Sequence, residues 1–97
     1  MTPKEIIAAS ISLHVDGKID KSLDMIYSGL GDLLLAKNYI EVDSLLLGVP
    51  TTNIDLVLAI LIVTRPYKVM LPNRNVFLNF SKEYFKNKEA PDLFDNL

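Results

Sequence analysis

The 97-residue sequence contains no cysteine and only one histidine. Without cysteine the chain forms no disulfide, carries no thiol nucleophile and offers no sulfur ligand to zinc. One histidine is too few for a His-rich metal site within one chain. We therefore expect a cytoplasmic protein that holds no metal and no other cofactor.

Long apolar runs are also missing. The longest uninterrupted one, Leu56 to Val63, has eight residues, whereas a membrane-spanning helix needs about 20. The N-terminal segment carries Glu5 where a secretory signal has positive charge, and its own apolar run is short and interrupted by serine. These features predict that the chain neither crosses a membrane nor begins with a secretory signal.

Neither sign of charge is in large excess, since 10 basic and 12 acidic side chains give a formal charge of −2. This balance argues against a general polyanion binder. Hydrophobic residues make up 49% of the chain, which is high because so short a chain keeps much of its surface exposed after folding. The length suits one domain over 1–97, and the apolar surplus predicts that a partner covers part of its surface.

Helical periodicity is the pattern that is present throughout. Thr2-Pro3-Lys4-Glu5 forms a capping box with proline at the first helical position, which predicts a helix over about 3–15. Gly17 is expected to end this helix in the left-handed conformation. Four further helices are predicted over about 21–37, 39–47, 53–64 and 73–88. The fourth, which is apolar on every side, follows the capping signal Thr52-Asn53-Ile54-Asp55. The predicted fold class is all-α, with about five helices in a compact antiparallel array or bundle.

Several local features sharpen this prediction. Asp20 is expected to cap the second helix, and Gly29 and Gly31 inside it either let a neighbouring helix come close or mark a kink. Residues 66–72 lie between two prolines and are predicted to form an irregular or extended link. Residues 92–97 are expected to add a last turn whose apolar side chains cover the core.

Some apolar residues do not fit the predicted core faces. In the fifth helix the predicted core stripe consists of Val76, Phe77, Phe80 and Tyr84. Leu78 and Phe85 then lie on a flank about 120° away. Met25 and Leu35 are likewise off the main apolar face of the second helix. Because a small domain does not easily bury both sides of a peripheral helix, we interpret Leu78, Phe85, Met25 and Leu35 as candidate partner contacts, or else as signs that these helices are central.

Part of the second and third helices resembles a known repeat. The residues concerned are Leu30-Gly31, Leu34, Asn38-Tyr39, Glu41 and Leu45-Leu46. Over residues 30–46 this pattern resembles a tetratricopeptide repeat, and the predicted helix starts recur at spacings near the 34 residues of that family. The pattern departs from the family in three ways. Asn38 stands where glycine is usual, the turn is one residue short, and Asp43 or Val42 stands where the family packs a small alanine. The resemblance implies stacked helical hairpins and a protein-binding scaffold; the alternative is an irregular five-helix bundle.

Basic residues are concentrated in one segment. Residues 56–88 contain six basic side chains and one acidic side chain, interleaved with Tyr67 and Phe85. The six are Arg65, Lys68, Arg74, Lys82, Lys86 and Lys88. Cations on phosphates and aromatic rings on bases are typical of single-strand binding, so these residues are candidate nucleic-acid contacts. The alternative is a solvated helix face paired within the molecule.

No constellation of catalytic or metal-binding residues is found in the sequence. Residues 16–20 (DGKID) look like the centre of a calcium loop, but position 12 of that loop would be Leu23 instead of a bidentate acid. Ser12, His14 and Asp16 are two residues apart on one helix and do not face each other. We therefore name no catalytic residue.

The sequence thus favours a small non-enzymatic protein–protein interaction or adaptor module, which forms a homodimer or joins a larger complex. A nucleic-acid-associated regulator that uses residues 65–88 is the alternative. A third hypothesis is an enzyme whose site forms between subunits with His14 as its base.

Overall fold

Five α-helices follow one another along the chain in the computed structural model, which describes residues 1–49, 52–88 and 91–97. They are α1 (Pro3–Val15), α2 (Ile19–Leu35), α3 (Tyr39–Leu46), α4 (Ile54–Thr64) and α5 (Asn73–Phe85). Two short 3₁₀ helices, Arg65–Met70 and Pro91–Phe94, follow α4 and α5. The described residues contain no β-strand, and the predicted all-α class is confirmed.

The capping signals of α1 and α4 act as sequence chemistry predicts. The Thr2 hydroxyl accepts a hydrogen bond from the Glu5 amide at 3.2 Å, and the Glu5 carboxylate accepts one from the Thr2 amide at 2.9 Å. Gly17 ends α1 with φ +80°, a conformation that favours glycine. At the start of α4, Asn53 Oδ1 accepts hydrogen bonds from the amides of Asp55 and Leu56. These caps satisfy amides that have no partner within their own helix.

Helix α2 is displaced from its predicted bounds by two residues at each end. It begins at Ile19, so Asp20 lies inside its first turn and makes no capping hydrogen bond; the predicted Asp20 cap is wrong. The helix ends in a Schellman motif, in which the amides of Lys37 and Asn38 donate to the carbonyls of Leu34 and Leu33. This motif places Lys37 at φ 65°, a conformation in which glycine is more usual.

Helix α2 is the central element of the fold, because it packs along both α1 and α4. Helix α3 contacts α1, α2 and α5, and α5 also contacts α4. The molecule measures 36 × 33 × 19 Å, so its thinnest dimension corresponds to about two packed helices. The core is built mainly from Ile26, Leu30, Leu34, Val57, Ile60 and Leu61.

A close approach between α1 and α2 explains one of the two helical glycines. A Cβ atom at Gly29 would lie 2.9 Å from Ile6 Cδ1 and Cγ2, whereas at Gly31 the nearest atom would be Val63 Cγ2 at 3.7 Å. The contact is completed by Ser22, whose hydroxyl donates to the Ser10 carbonyl. Glycine is therefore required by packing at Gly29 but not at Gly31.

The region after α4 differs from its predicted form. Residues 66–72 are not an extended link, because most of them lie in the 3₁₀ helix Arg65–Met70, which continues directly from α4. At the C-terminus, Phe94 is buried and its ring stacks on Phe85 at a centroid distance of 5.8 Å. Leu97 also packs against the core, although Leu93 is exposed. The C-terminal segment therefore covers the end of α5.

The orientation of α5 is the largest correction to the sequence analysis. Its buried residues are Arg74, Phe77, Ser81 and Phe85. Of the predicted core stripe only Phe77 is buried, while Val76, Phe80 and Tyr84 are exposed. The prediction failed because the stripe was chosen by polarity alone, and two polar residues occupy inward positions on this helix.

Candidate interaction surface

A groove lies between the C-terminal end of α3 and the exposed side of α5. Its sides are formed by Leu47, Val49, Val76, Phe80, Glu83 and Tyr84, over a floor of Leu46 and Phe77. The volume of this α3–α5 groove is about 410 Å³. Ligand sites commonly measure about 300–1,000 Å³, so the groove is large enough to receive several side chains of a partner.

The helix period explains why apolar side chains meet in this groove. Val76, Phe80, Glu83 and Tyr84 stand at positions i, i+4, i+7 and i+8 of α5, which share one face. Phe80 is 67% exposed and Leu47, on the α3 side, is 61% exposed. Single exposed apolar residues are ordinary, but a contiguous apolar surface is typical of an interaction site.

The electrostatic character of the groove is simple. Among the lining residues that the structure describes, Glu83 is the one ionisable acid or base apart from the Tyr84 phenol. At the end of α5 the Lys88 ammonium lies 3.9 Å from the centroid of the Tyr84 ring, where a cation is attracted by the π face. The Tyr84 ring also makes an edge-to-face contact with Phe85, at a distance of 4.9 Å between the ring centroids. The groove is thus an apolar channel with one carboxylate on its wall.

Two sets of hydrogen bonds fix α5 in the position that forms the groove. The Asn73 amide donates to Asp43 Oδ1 at 2.8 Å, and Asn73 Nδ2 donates to the Asp43 carbonyl at 3.2 Å. These bonds join the first residue of α5 to α3. These hydrogen bonds hold together the two helices that line the groove.

Arg74 provides the second attachment of α5. Its side chain is 2% exposed, and it donates from Nε to Thr64 Oγ1 at 2.9 Å and from Nη2 to the Leu61 carbonyl at 2.7 Å. Burial lowers the pKa of the guanidinium, and the nearby Arg65 charge lowers it further. Within the described ranges Arg74 forms no salt bridge, so its charge is stabilised by the carbonyl end of α4.

The structure separates the basic residues that were grouped by the sequence. Arg74 is buried and committed to α4, so its assignment as a nucleic-acid contact is wrong. The other five candidates are exposed: Arg65, Lys68, Lys82, Lys86 and Lys88. Of the interleaved rings, Phe85 is buried beneath Phe94 and Tyr67 is half-buried against Tyr39. The nucleic-acid hypothesis stays a prediction that rests on five cations.

The four predicted partner contacts have different environments. Phe85 is buried, and its assignment as a partner contact is wrong because Phe94 and Tyr84 cover it. Met25 and Leu78 are half-buried and pack against the core. Leu35 is 74% exposed at the C-terminal end of α2. Only Leu35 of these four presents most of its side chain to solvent, and it lies outside the groove.

Sequence reasoning missed the groove residues Leu47, Val76, Phe80 and Tyr84. A usable signal was present, because a different stripe through positions 74, 77, 78, 81 and 85 collects Phe77, Leu78 and Phe85 on one face. That choice requires two polar residues to point inward. Sequence alone does not reveal that Arg74 and Ser81 find hydrogen-bond partners there.

His14 belongs to a second polar cluster at the start of α4. Asn53 Nδ2 donates to His14 Nδ1 at 2.8 Å, and His14 Nε2 lies 3.3 Å from Asp55 Oδ2, to which it donates in that tautomer. Hydrogen bonds among the described residues join no serine or threonine hydroxyl to His14. The arrangement orients an imidazole, but it brings no nucleophile to it.

Comparison with protein-family models, curated proteins and solved structures finds no match. In the part of the chain that the structure describes, no three of the histidine, aspartate and glutamate side chains are placed to hold a metal ion. None of the described helices is both long and apolar enough to cross a membrane.

Proposed function

We propose that this chain is a small protein–protein interaction module that binds an amphipathic helix of another protein in the α3–α5 groove. The observation that carries the proposal is the exposure of Phe80 among Leu47, Val76 and Tyr84, on a helix that buries Arg74 and Ser81 instead. Burying a Phe side chain is worth about 1.5–3 kcal/mol. Because Phe80 is exposed in the folded chain, this free energy does not stabilise the fold. It becomes available when a partner covers the ring.

The shape and charge of the groove specify the partner. Val76 and Tyr84 are eight residues apart, which is about 12 Å along α5 at 1.5 Å per residue. Two turns of a helix that presents apolar residues at i, i+3 or i+4, and i+7 match this length. Because Glu83 is the carboxylate on the wall, the partner helix carries a lysine or arginine beside its apolar stripe.

Two further features support a scaffold role. Helices that follow one another pack together, most extensively α1 with α2, and residues 30–46 resemble a tetratricopeptide repeat, a family of protein-binding scaffolds. The lack of cysteine supports a cytoplasmic setting. Lys82 and Lys86 lie on another face of α5, so nucleic acid is not needed to account for the groove.

Site-specific photo-crosslinking tests the proposal in the cell that produces the protein. Benzoylphenylalanine replaces Phe80 in one variant and, as the matched control, replaces Leu35 in another. Both residues are exposed and apolar, but only Phe80 lies in the groove. We expect position 80 to crosslink to one protein, within a segment that has an apolar stripe and a neighbouring basic residue, and position 35 to give no such product.

Three results would contradict the proposal. The first is that positions 35 and 80 crosslink equally to the same proteins, which would mean that the groove has no selectivity. The second is that position 80 crosslinks only to a second copy of the chain, which would make the groove a homodimer interface. The third is that nuclease treatment of a cell lysate before irradiation prevents the crosslink at position 80, which would favour the nucleic-acid hypothesis instead.

A further inference from the structure

A cavity separate from the groove lies between α1, α2 and the start of α4. Its volume is about 190 Å³. Ile7, Ile26, Leu56 and Ile60 are buried and line its inner part, while the exposed residues Val15 and Thr52 line its mouth. A pocket that is apolar inside and open at one end is the usual form of a small-molecule site.

The polar groups of this α1–α4 cavity are gathered at one end. Thr52, Asn53 and His14 line it there, and the remaining lining residues are aliphatic. Asn53 is held by its cap of α4 and His14 is held between Asn53 and Asp55. The hydrogen-bonding groups at the mouth are thus fixed before any ligand arrives, as is usual in small-molecule sites.

The lining also specifies the charge and size of the ligand. Among the described lining residues only His14 is ionisable, and both of its ring nitrogens are hydrogen-bonded within the protein. An ionic ligand would therefore lose its hydration without gaining a charged partner. An apolar cavity of about 150 Å³ binds benzene, and this one is larger. The hydrogen bonds among His14, Asn53 and Asp55 leave the Thr52 hydroxyl as the acceptor at the polar end. A neutral molecule with one ring and one hydroxyl or N–H group fits both the volume and this acceptor.

We infer that the α1–α4 cavity is a binding site for a small neutral molecule, apolar except for one hydrogen-bonding group that pairs with the Thr52 hydroxyl at the polar end of the cavity. The site is independent of the α3–α5 groove, from which it differs in every lining residue except Val49. The chain then carries a small-ligand site in addition to a protein-binding surface.

Titration of the purified protein with indole, followed by methyl and amide NMR, tests this inference. We expect saturable shifts at Ile7, Ile26 and Ile60 and a rise in the melting temperature. Indole-3-carboxylate, which has the same rings and a negative charge, is expected to bind at least about tenfold more weakly. Phe80→Asp, which changes only the groove, should leave the indole affinity unchanged, so failure here is distinguishable from failure of the proposed helix binding.

A filled cavity provides the second arm of the test. Ile11→Phe places a larger side chain in the lining from a half-buried position, and it should abolish the indole-induced shifts. If this variant does not fold, Val15→Phe at the exposed rim serves the same purpose. The inference is overturned if indole gives no saturable shift in the wild type, if its shifts map to the groove residues, or if a folded filled variant binds indole as well as the wild type does.

Discussion

The two faces of α5 differ in burial more than in polarity. The inner face carries Arg74 and Ser81 beside Phe77 and Phe85, and the outer face carries Val76, Phe80 and Tyr84. Arg74 is 2% exposed, while Phe80, six residues further along the same helix, is 67% exposed. Polarity alone therefore does not decide which face of a helix is buried.

Hydrogen bonding explains why the inner face tolerates polar residues. Arg74 reaches the carbonyl end of α4, and the Ser81 hydroxyl donates to the Phe77 carbonyl at 2.8 Å. A buried polar group whose hydrogen bonds are made has little net cost, whereas one without a partner is expensive. No buried side-chain nitrogen or oxygen of the described residues lacks a partner. The outer face has no such compensation, and its apolar groups gain only when something covers them.

Truncation of the inner arginine is expected to have the largest effect. Arg74→Ala removes two charge-assisted hydrogen bonds, leaves Thr64 and the Leu61 carbonyl without them and opens a cavity, so we expect a loss of about 3–5 kcal/mol in the free energy of unfolding. Urea denaturation measures this. The control Arg65→Ala changes an exposed neighbour and should stay within about 0.5 kcal/mol. An equally small loss of unfolding free energy in both variants would contradict the structural role of Arg74.

The outer face should show the reverse pattern, with a large effect on binding and a small one on folding. Phe80→Asp introduces a charge where an apolar anchor is needed, and we expect affinity for the partner segment crosslinked at position 80 to fall by at least about 2 kcal/mol, or roughly thirtyfold. Titration calorimetry with a synthetic peptide of that segment measures the change.

Leu35→Asp is the matched control for Phe80→Asp, because it places the same charge at an exposed apolar position outside the groove. Its peptide affinity should equal that of the wild type. Loss of binding in both variants would show that charge, and not the groove, weakens the complex.

The two glycines of α2 allow a similar comparison, because one of them packs closely against α1 and the other does not. Gly29→Ala places a Cβ atom 2.9 Å from Ile6, and overpacking of this kind costs about 1–3 kcal/mol. Gly31→Ala has room for its methyl group, and it should stabilise the protein by up to about 1 kcal/mol because alanine is the better helix former. Thermal denaturation separates the two, and opposite signs are the expected result.

The smallest effect is expected on the basic side of α5. The double substitution Lys82→Gln and Lys86→Gln removes two exposed charges that lie away from the groove, so stability and peptide affinity should each change by less than about 0.5 kcal/mol. A salt-dependent affinity of the wild type for single-stranded RNA that this variant loses would instead support the nucleic-acid hypothesis.

The sequence was sufficient where local chemistry determines the structure. The capping box at Thr2 and the glycine at Gly17 located α1, and the cap at Asn53 located α4 although that helix is apolar on every side. The start of α2 was misplaced because Asp20 is a favoured residue in the first helical turn as well as at a cap.

The candidate site was beyond the sequence because it depends on distant partners. Arg74 is buried through Leu61 and Thr64, which lie 13 and 10 residues before it in the chain. Once Arg74 faces inward, the helix period turns Val76 and Phe80 outward. Of the residues named in advance, Leu35 is exposed but isolated, and Phe85 belongs to the core.

Protection of one thiol inside the cell tests the central claim that a partner covers the outer face of α5. Because the chain contains no cysteine, Asn79→Cys supplies a single thiol at the edge of the groove, beside Val76, Phe80 and Glu83, and Leu35→Cys supplies one elsewhere. Both variants should react quickly with a maleimide when purified. In cells we predict labelling at position 79 to be at least about tenfold slower than at position 35, since a bound helix shields it. Equal rates at the two positions would contradict the account, because the groove would then be open where the protein works.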